Sequence, residues 1–278
     1  MNNNELLHTH ERTLLHTLLR TIPPVLRARD FRLYLEGGQR LTDLWQAGGK
    51  AILGHKPPRV IADIKNTAER GLFAPFPHPA ERRFLKALAQ LFPDTDGSQY
   101  GFRIYENESS MLCAIKNAGA DIKLSIWRPF MKTGNPRPPF TPILPWALSP
   151  PVLAIEKQTE EKFAPGDPVS PFILAAAARA IHDLLAAGEN GGRPRYALIA
   201  KALAENSGWR RQGVYLIHQE HEKNLFNEEN HKKIWLRFLE QGFLYPPSIH
   251  DPLILPDALS PGEESKLASL LKEQTALP

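Results

Sequence analysis

The chain has 278 residues, 42% of them apolar and 23% charged, with a formal net charge of +4. That is the composition of an ordinary soluble globular protein, long enough for a real core and more than one lobe, and no apolar run approaches a membrane span. The single cysteine, Cys113, excludes a disulfide framework and a multi-cysteine zinc site.

The N-terminus, Met1-Asn2-Asn3-Asn4-Glu5, has neither the basic start nor the apolar stretch of a signal peptide, so a cytoplasmic protein is expected. Residues 6–22 repeat leucines at helical spacing and end at Pro23-Pro24. Residues 31–36 alternate as a strand does, Gly37-Gly38 turns the chain, and residues 40–44 form the return strand of a hairpin. Helices are expected over 57–70, closed by Gly71, and over 80–91. A strand at 101–105, a helix over 109–117 and a strand at 122–127 follow.

Between 128 and 152 eight prolines, from Pro129 to Pro151, rule out a long helix. Regular structure resumes with the apolar run Val152-Leu153-Ala154-Ile155 and a strong helix over 171–187. A polar break at Glu189-Asn190-Gly191-Gly192 leads to a helix over 196–205, a strand at 213–217, a helix over 228–241 and a last helix from Ser260. There, Ser260-Pro261-Gly262-Glu263 has the form of a capping box with proline at the first helical position. Arginines gather at Arg27, Arg29, Arg32 and Arg40, and again at Arg193, Arg195, Arg210 and Arg211, but form no dense tract and accompany no nucleic-acid module. They are expected to be solvated surface, with no nucleic-acid or membrane partner.

Three stretches carry a resemblance. The first is Leu35-Glu36-Gly37-Gly38-Gln39-Arg40-Leu41-Thr42-Asp43-Leu44, then Gly48-Gly49, then Gly54-His55-Lys56-Pro57-Pro58-Arg59-Val60, continued by Arg70-Gly71-Leu72-Phe73-Ala74 and Glu81. The second is Phe163-Ala164-Pro165-Gly166-Asp167 with the alanine-rich run after Ser170-Pro171. The third is the end of the chain, from Gly213-Val214-Tyr215 through Gly242 to Ser260-Pro261-Gly262-Glu263-Glu264. In order and spacing these resemble the class III pyridoxal-phosphate-dependent aminotransferases, the glutamate-1-semialdehyde aminomutases among them. The resemblance covers about three quarters of the chain. It implies an α/β fold of the fold-type-I PLP-transferase kind, with a shortened large domain and a C-terminal α+β small domain. The implied division is an N-terminal helix and hairpin segment over 1–56, a reduced large domain over 57–190 and a small domain over 191–278.

Such an enzyme needs a lysine for the Schiff base, a carboxylate for the pyridinium nitrogen and a helix N-terminus for the phosphate. Aligned on Ala114-Ile115-Lys116, the family's phosphate motif falls on Glu106-Asn107-Glu108-Ser109-Ser110. That places Asn107 where the family has glycine and Glu108 where it has a phosphate-binding hydroxyl, while Ser109 and Ser110 still offer donors. As plain sequence the same residues are an ordinary helix start. The resemblance further puts Pro129 at the position of the pyridinium aspartate and Trp146 at that of the Schiff-base lysine. About a hundred residues that the family carries after the Ala-Ile-Lys helix have no counterpart here.

Replacement lysines at Lys132 or Lys157 lack a family-like context. His8 with His10, and His218 with His221 and Lys223, lack the spacing and the carboxylates of a metal site, so no metal is expected. The expected function is that of a non-catalytic aminotransferase-like protein, a pseudoenzyme without bound cofactor, acting as a binding or regulatory partner. Its expected partners are a second copy of itself, anchored by Trp45, Phe73 and Phe76, or an active aminotransferase relative. Two other readings stay open: a working aminotransferase or aminomutase using pyridoxal phosphate, and a small-molecule-binding protein using the vestigial cleft.

Overall fold

A computed structural model describes residues 13–93, 100–119, 124–131, 136–188, 196–205, 208–218 and 228–273. The chain divides into two compact units, one made of residues 1–48 and 191–278, the other of 49–190.

The first unit starts from the glycine turn. Gly37 and Gly38 both take φ near +85°, a region that costs other residues but not glycine. They join strand β2 (Arg32–Leu35) to β3 (Arg40–Asp43) in antiparallel register, with Leu33 opposite Leu41. Along β2 burial alternates, so Leu33 and Leu35 face the core while Arg32 and Tyr34 face out. Strand β1 (Val25–Arg29) adds to the free edge of β2, and β10 (Phe243–Leu244) runs parallel to β3 on the other side. A second sheet in this unit has the order β11-β9-β8, from β8 (Trp209–Gln212), β9 (Tyr215–His218) and β11 (Leu253–Ile254).

Helices α1 (residues 13–19), α6 (Ala197–Ala204), α7 (Glu228–Glu240) and α8 (Pro261–Glu273) complete this unit. Helix α7 buries His231, Ile234, Trp235 and Phe238, the i, i+3, i+4, i+7 stripe of an amphipathic helix. The capping box is formed as expected: the Ser260 amide donates to Glu263 Oε2 at 2.8 Å and the Glu263 amide to Ser260 Oγ at 3.3 Å. After β3 the chain turns through Gln46, Ala47 and Gly48, all at positive φ. Asp43 holds that strained turn, its buried Oδ1 accepting from the amides of Trp45 and Gln46 at 2.8 Å each. Trp45 packs against this unit's core and donates through Nε1 to Asp251 at 3.0 Å.

The second unit joins a four-stranded sheet to helices. The order is β4-β7-β6-β5, from β4 (Tyr100–Ile104), β5 (Ser125–Trp127), β6 (Phe140–Pro142) and β7 (Val152–Glu156). Strand β7 is antiparallel to both neighbours and β5 is parallel to β6. Its first four residues are all buried, which is why the sequence reads there as a continuous apolar run. Helices α2 (Pro58–Glu69), α3 (Pro79–Leu91) and α5 (Pro171–Ala187) each begin with proline at the first turn. His78 Nδ1 accepts from the Ala80 amide to cap α3, and Ser170 Oγ caps α5. Small residues let α2 and α3 both lie close against α5, which buries Ala176, Ala177, Ala178 and Ala180. Residues 128–151 contain no α-helix among those described, in line with their prolines. The architecture is thus α/β with mixed sheets.

Candidate functional site

Strands β4, β5 and β6 run in one direction, because β7 between β4 and β6 is antiparallel to each. Their C-terminal ends therefore share one edge of the sheet, the edge at which open α/β sheets bind ligands. The chain segments onto which the resemblance places the phosphate, ring-nitrogen and Schiff-base positions meet this edge. Glu106 to Ser110 follow β4, Pro129 follows β5, and Trp146 follows β6.

Helix α4 (Glu108–Ala118) starts directly after β4. Its Asn107 is extended, and Asn107 Oδ1 accepts from the Ser110 amide at 2.9 Å. Glu108 is the first helical residue; with Asn107 and Ser109 it is exposed, and Ser110 is half-buried. Met111, Ala114 and Ile115 anchor the helix against Leu153, Ile155 and Phe163.

The loop at 163–167 closes over the start of this helix. Gly166 lies so near β4 that a Cβ there would stand 2.3 Å from the Ile104 carbonyl oxygen, so only glycine fits. That approach lets Asp167 make a two-way latch: its amide donates to the Ile104 oxygen at 2.8 Å, and its Oδ2 accepts from the Glu106 amide at 3.0 Å. The Tyr105 amide in turn donates to the Pro151 oxygen at 2.9 Å. The Tyr105 ring is buried, and burial pushes its phenol above the ordinary value, with Arg103 opposing. Asp167 is legible as part of Pro165-Gly166-Asp167, but its grip on Glu106 is not, since nothing in sequence links positions 61 residues apart.

Past β5, Arg128 and Pro129 are both buried, and the Ile143 amide donates to the Trp127 oxygen at 2.9 Å. Trp146 is 8% exposed and belongs to an apolar cluster with Val60, Phe84, Leu144, Val152 and Ala177. Lys157 follows β7 and so lies at the opposite edge of the sheet. Lys132 lies outside the described residues, as do His8, His10, His221 and Lys223. His218 is buried, with its ring edge-on to Trp209 at 4.8 Å. Among the described residues no group of three or more His, Cys, Asp or Glu is placed to hold a metal ion, and no helix is long and apolar enough to cross a membrane.

Among solved structures the chain is similar to the ornithine δ-aminotransferase of Plasmodium falciparum, at 14% identity and a TM-score of 0.62, over 91% of this chain and 92% of that one. It is equally similar to the glutamate-1-semialdehyde aminomutase of Pseudomonas aeruginosa PAO1, at 13% identity and a TM-score of 0.62, over 91% and 87%. The chain has the aminotransferase fold. A third such neighbour, the ornithine aminotransferase of Toxoplasma gondii (12% identity, TM-score 0.55, over 91% and 89%), is described with PLP at its active site.

In sequence the chain is 30% identical over 175 residues to an uncharacterized protein of Treponema pallidum, covering 62% of this chain and 56% of that protein. It is 33% identical over 76 residues to the glutamate-1-semialdehyde 2,1-aminomutase of Thermus thermophilus, covering 27% and 18%. The match thus spans little more than half the length of the first relative and a fifth of the second. No protein-family profile matches the chain.

Does this edge suit pyridoxal phosphate? A phosphate dianion seats on helix N-terminal amides, where the helix dipole favours negative charge. At α4 the Ser110 amide is taken by Asn107 and the Glu106 amide by Asp167. The carboxylates of Glu106, Glu108 and Asp167 already gather at that end, and they would repel a second anion. At the ends of β5 and β6 the chain offers Arg128, Pro129 and Trp146, which supply neither a carboxylate nor an amine of the kind this cofactor needs. The described residues of the edge do not fit the group.

Proposed function

We propose that the chain is a non-catalytic protein on an aminotransferase scaffold, acting as a binding or regulatory partner of a second copy or of an active aminotransferase. One observation carries this reading. At the start of α4 the Ser110 amide already donates to Asn107 and the preceding Glu106 amide to Asp167, with the acidic Glu106 and Glu108 in the adjoining sequence. The placement of Trp146 in an apolar cluster, at the position the resemblance assigns to the Schiff-base lysine, and of Pro129 where it assigns the pyridinium aspartate, supports the same conclusion. So does the four-stranded sheet of the second unit, which suits a shortened large domain over 57–190 followed by a small domain over 191–278. The 76-residue match to an aminomutase supports the scaffold's family. A cytoplasmic location fits this reading.

The test is spectroscopic. Purified protein is incubated with pyridoxal phosphate, scanned for absorbance, reduced with borohydride and analysed by peptide mass spectrometry. No aldimine band and no stoichiometrically modified lysine are expected. A band with one lysine trapped at unit stoichiometry would refute the reading and establish a working pyridoxal-phosphate site.

A further inference from the structure

Helices α2, α3 and α5 enclose a groove of about 380 Å³ on the second unit, and none of its lining belongs to the strand edge described above. Each helix contributes one face at helical spacing. From α2 come Asp63, Asn66 and the following Arg70; from α3, Arg83 and Lys86; from α5, Arg179 and His182. The floor is lined by Ala175 and Ala178, whose short side chains leave the space open.

The lining is strongly one-signed. Four cations face one carboxylate, a net charge of +3 with His182 neutral. That carboxylate, Asp63, accepts from Arg179 Nε at 3.0 Å and so fixes the Arg179 guanidinium in place. The neighbouring Asp183 is engaged elsewhere, by Arg59 at 3.4 Å. Among the described residues Arg70, Arg83 and Lys86 have no ion-pair partner, unlike Lys233, which pairs with Glu229, and Lys201, which pairs with Glu205. Three unmatched cations converging on one concavity repel each other and together attract a multivalent counter-ion.

We propose that this groove binds a small molecule carrying two or more phosphate groups. Arginine forks match phosphate oxygens in pairs, and lysine adds a point charge. The volume falls in the range of small-molecule sites. Because four cations from three helices line one concavity of about 380 Å³, the ligand is compact. The inference does not depend on whether the strand edge holds a cofactor.

The experiment is calorimetric titration of the full chain with inorganic tripolyphosphate at low ionic strength. One saturable site is expected, weakening steadily with added salt. Arg83→Gln and Lys86→Gln should each weaken binding about tenfold, the loss of one charge-assisted hydrogen bond. Lys86→Arg should retain it, and Lys65→Gln, an exposed lysine of α2 outside the groove, should leave it unchanged. Circular dichroism confirms that the variants fold. Three results would overturn the proposal: no saturable binding, an equal loss in Lys65→Gln, or a duplex oligonucleotide binding more tightly than tripolyphosphate with several chains per duplex.

Discussion

Glu263 gives the sharpest quantitative test of the first unit. Its side chain, 14% exposed, receives Arg32 Nη2 at 2.9 Å, Thr42 Oγ1 at 2.8 Å and the Ser260 amide at 2.8 Å. One carboxylate thereby ties the β2–β3 hairpin to the start of α8. Burial alone would raise its pKa; the bonds from Arg32, Ser260 and Thr42 outweigh burial and hold it at about 2, against an ordinary 4.5. A depression of that size bounds the stabilisation at about 3 kcal/mol, and solvent screening around Arg32 brings it to about 2 kcal/mol.

The sign follows from proton linkage. The carboxyl is depressed in the fold, so its contribution is full above about pH 4.5 and is lost as pH falls toward 2. Glu263→Gln removes the charge but can still cap, and should cost about 2 kcal/mol at pH 7. Glu263→Ala removes the cap as well and should cost about 1 kcal/mol more. Urea unfolding followed by circular dichroism at pH 7, 4 and 3 reads the difference. A Glu263→Gln penalty that stays the same from pH 7 to pH 3, or that is below about 0.5 kcal/mol at pH 7, would show that the carboxylate is not the tie described.

Two further outcomes are expected. Phe73 and Phe76 are 59% and 57% exposed, and aromatic rings in the open suit the centre of a subunit contact. Light scattering should therefore find a dimer at micromolar concentration and a monomer for the double substitution Phe73→Ser with Phe76→Ser; a monomeric parent would refute the contact. Trp146→Lys buries an ammonium in an apolar cluster and should cost about 3–5 kcal/mol without conferring transamination. Turnover of an amino acid above background by that variant would contradict the described strand edge.

The sequence made some elements plain because the signal was local. Proline at the first turn announces α2, α3 and α5, the Ser260–Glu263 spacing announces α8, and Gly37-Gly38 announces the hairpin. Strands β1 and β8 leave no such signal in the sequence. Val25 and Leu26 are both exposed on an edge strand, and Trp209-Arg210-Arg211-Gln212 is mostly polar, so neither shows alternation. The pairing of β3 with β10 joins residues two hundred positions apart and leaves no local trace. The cationic groove was hidden differently. Arginines adjacent in sequence are visible as clusters, whereas Arg70, Arg83, Lys86 and Arg179 are gathered from three separate helices. Polar residues at helical spacing, as at positions 63, 66 and 70 of α2 and its end, were the signal available.

The residues that carry a resemblance can bear structural loads of their own. Gly166 is required by the Ile104 carbonyl whether or not anything binds at the strand edge. Asp43 is required by the left-handed turn at Gln46 and Ala47, and the alanines of α5 by the helices lying against them. Each of these belongs to a motif by which the chain resembles aminotransferases, so the resemblance rests on residues whose work here is packing and turn geometry. Residues 107, 108, 129 and 146 are of another kind. Asn107 caps a helix, Glu108 sits in its first turn, Pro129 lies buried two residues past β5 and Trp146 belongs to an apolar cluster. Asp167 joins the two sets. By accepting from the Glu106 amide at 3.0 Å it sets a carboxylate just ahead of α4, where the helix dipole favours negative charge.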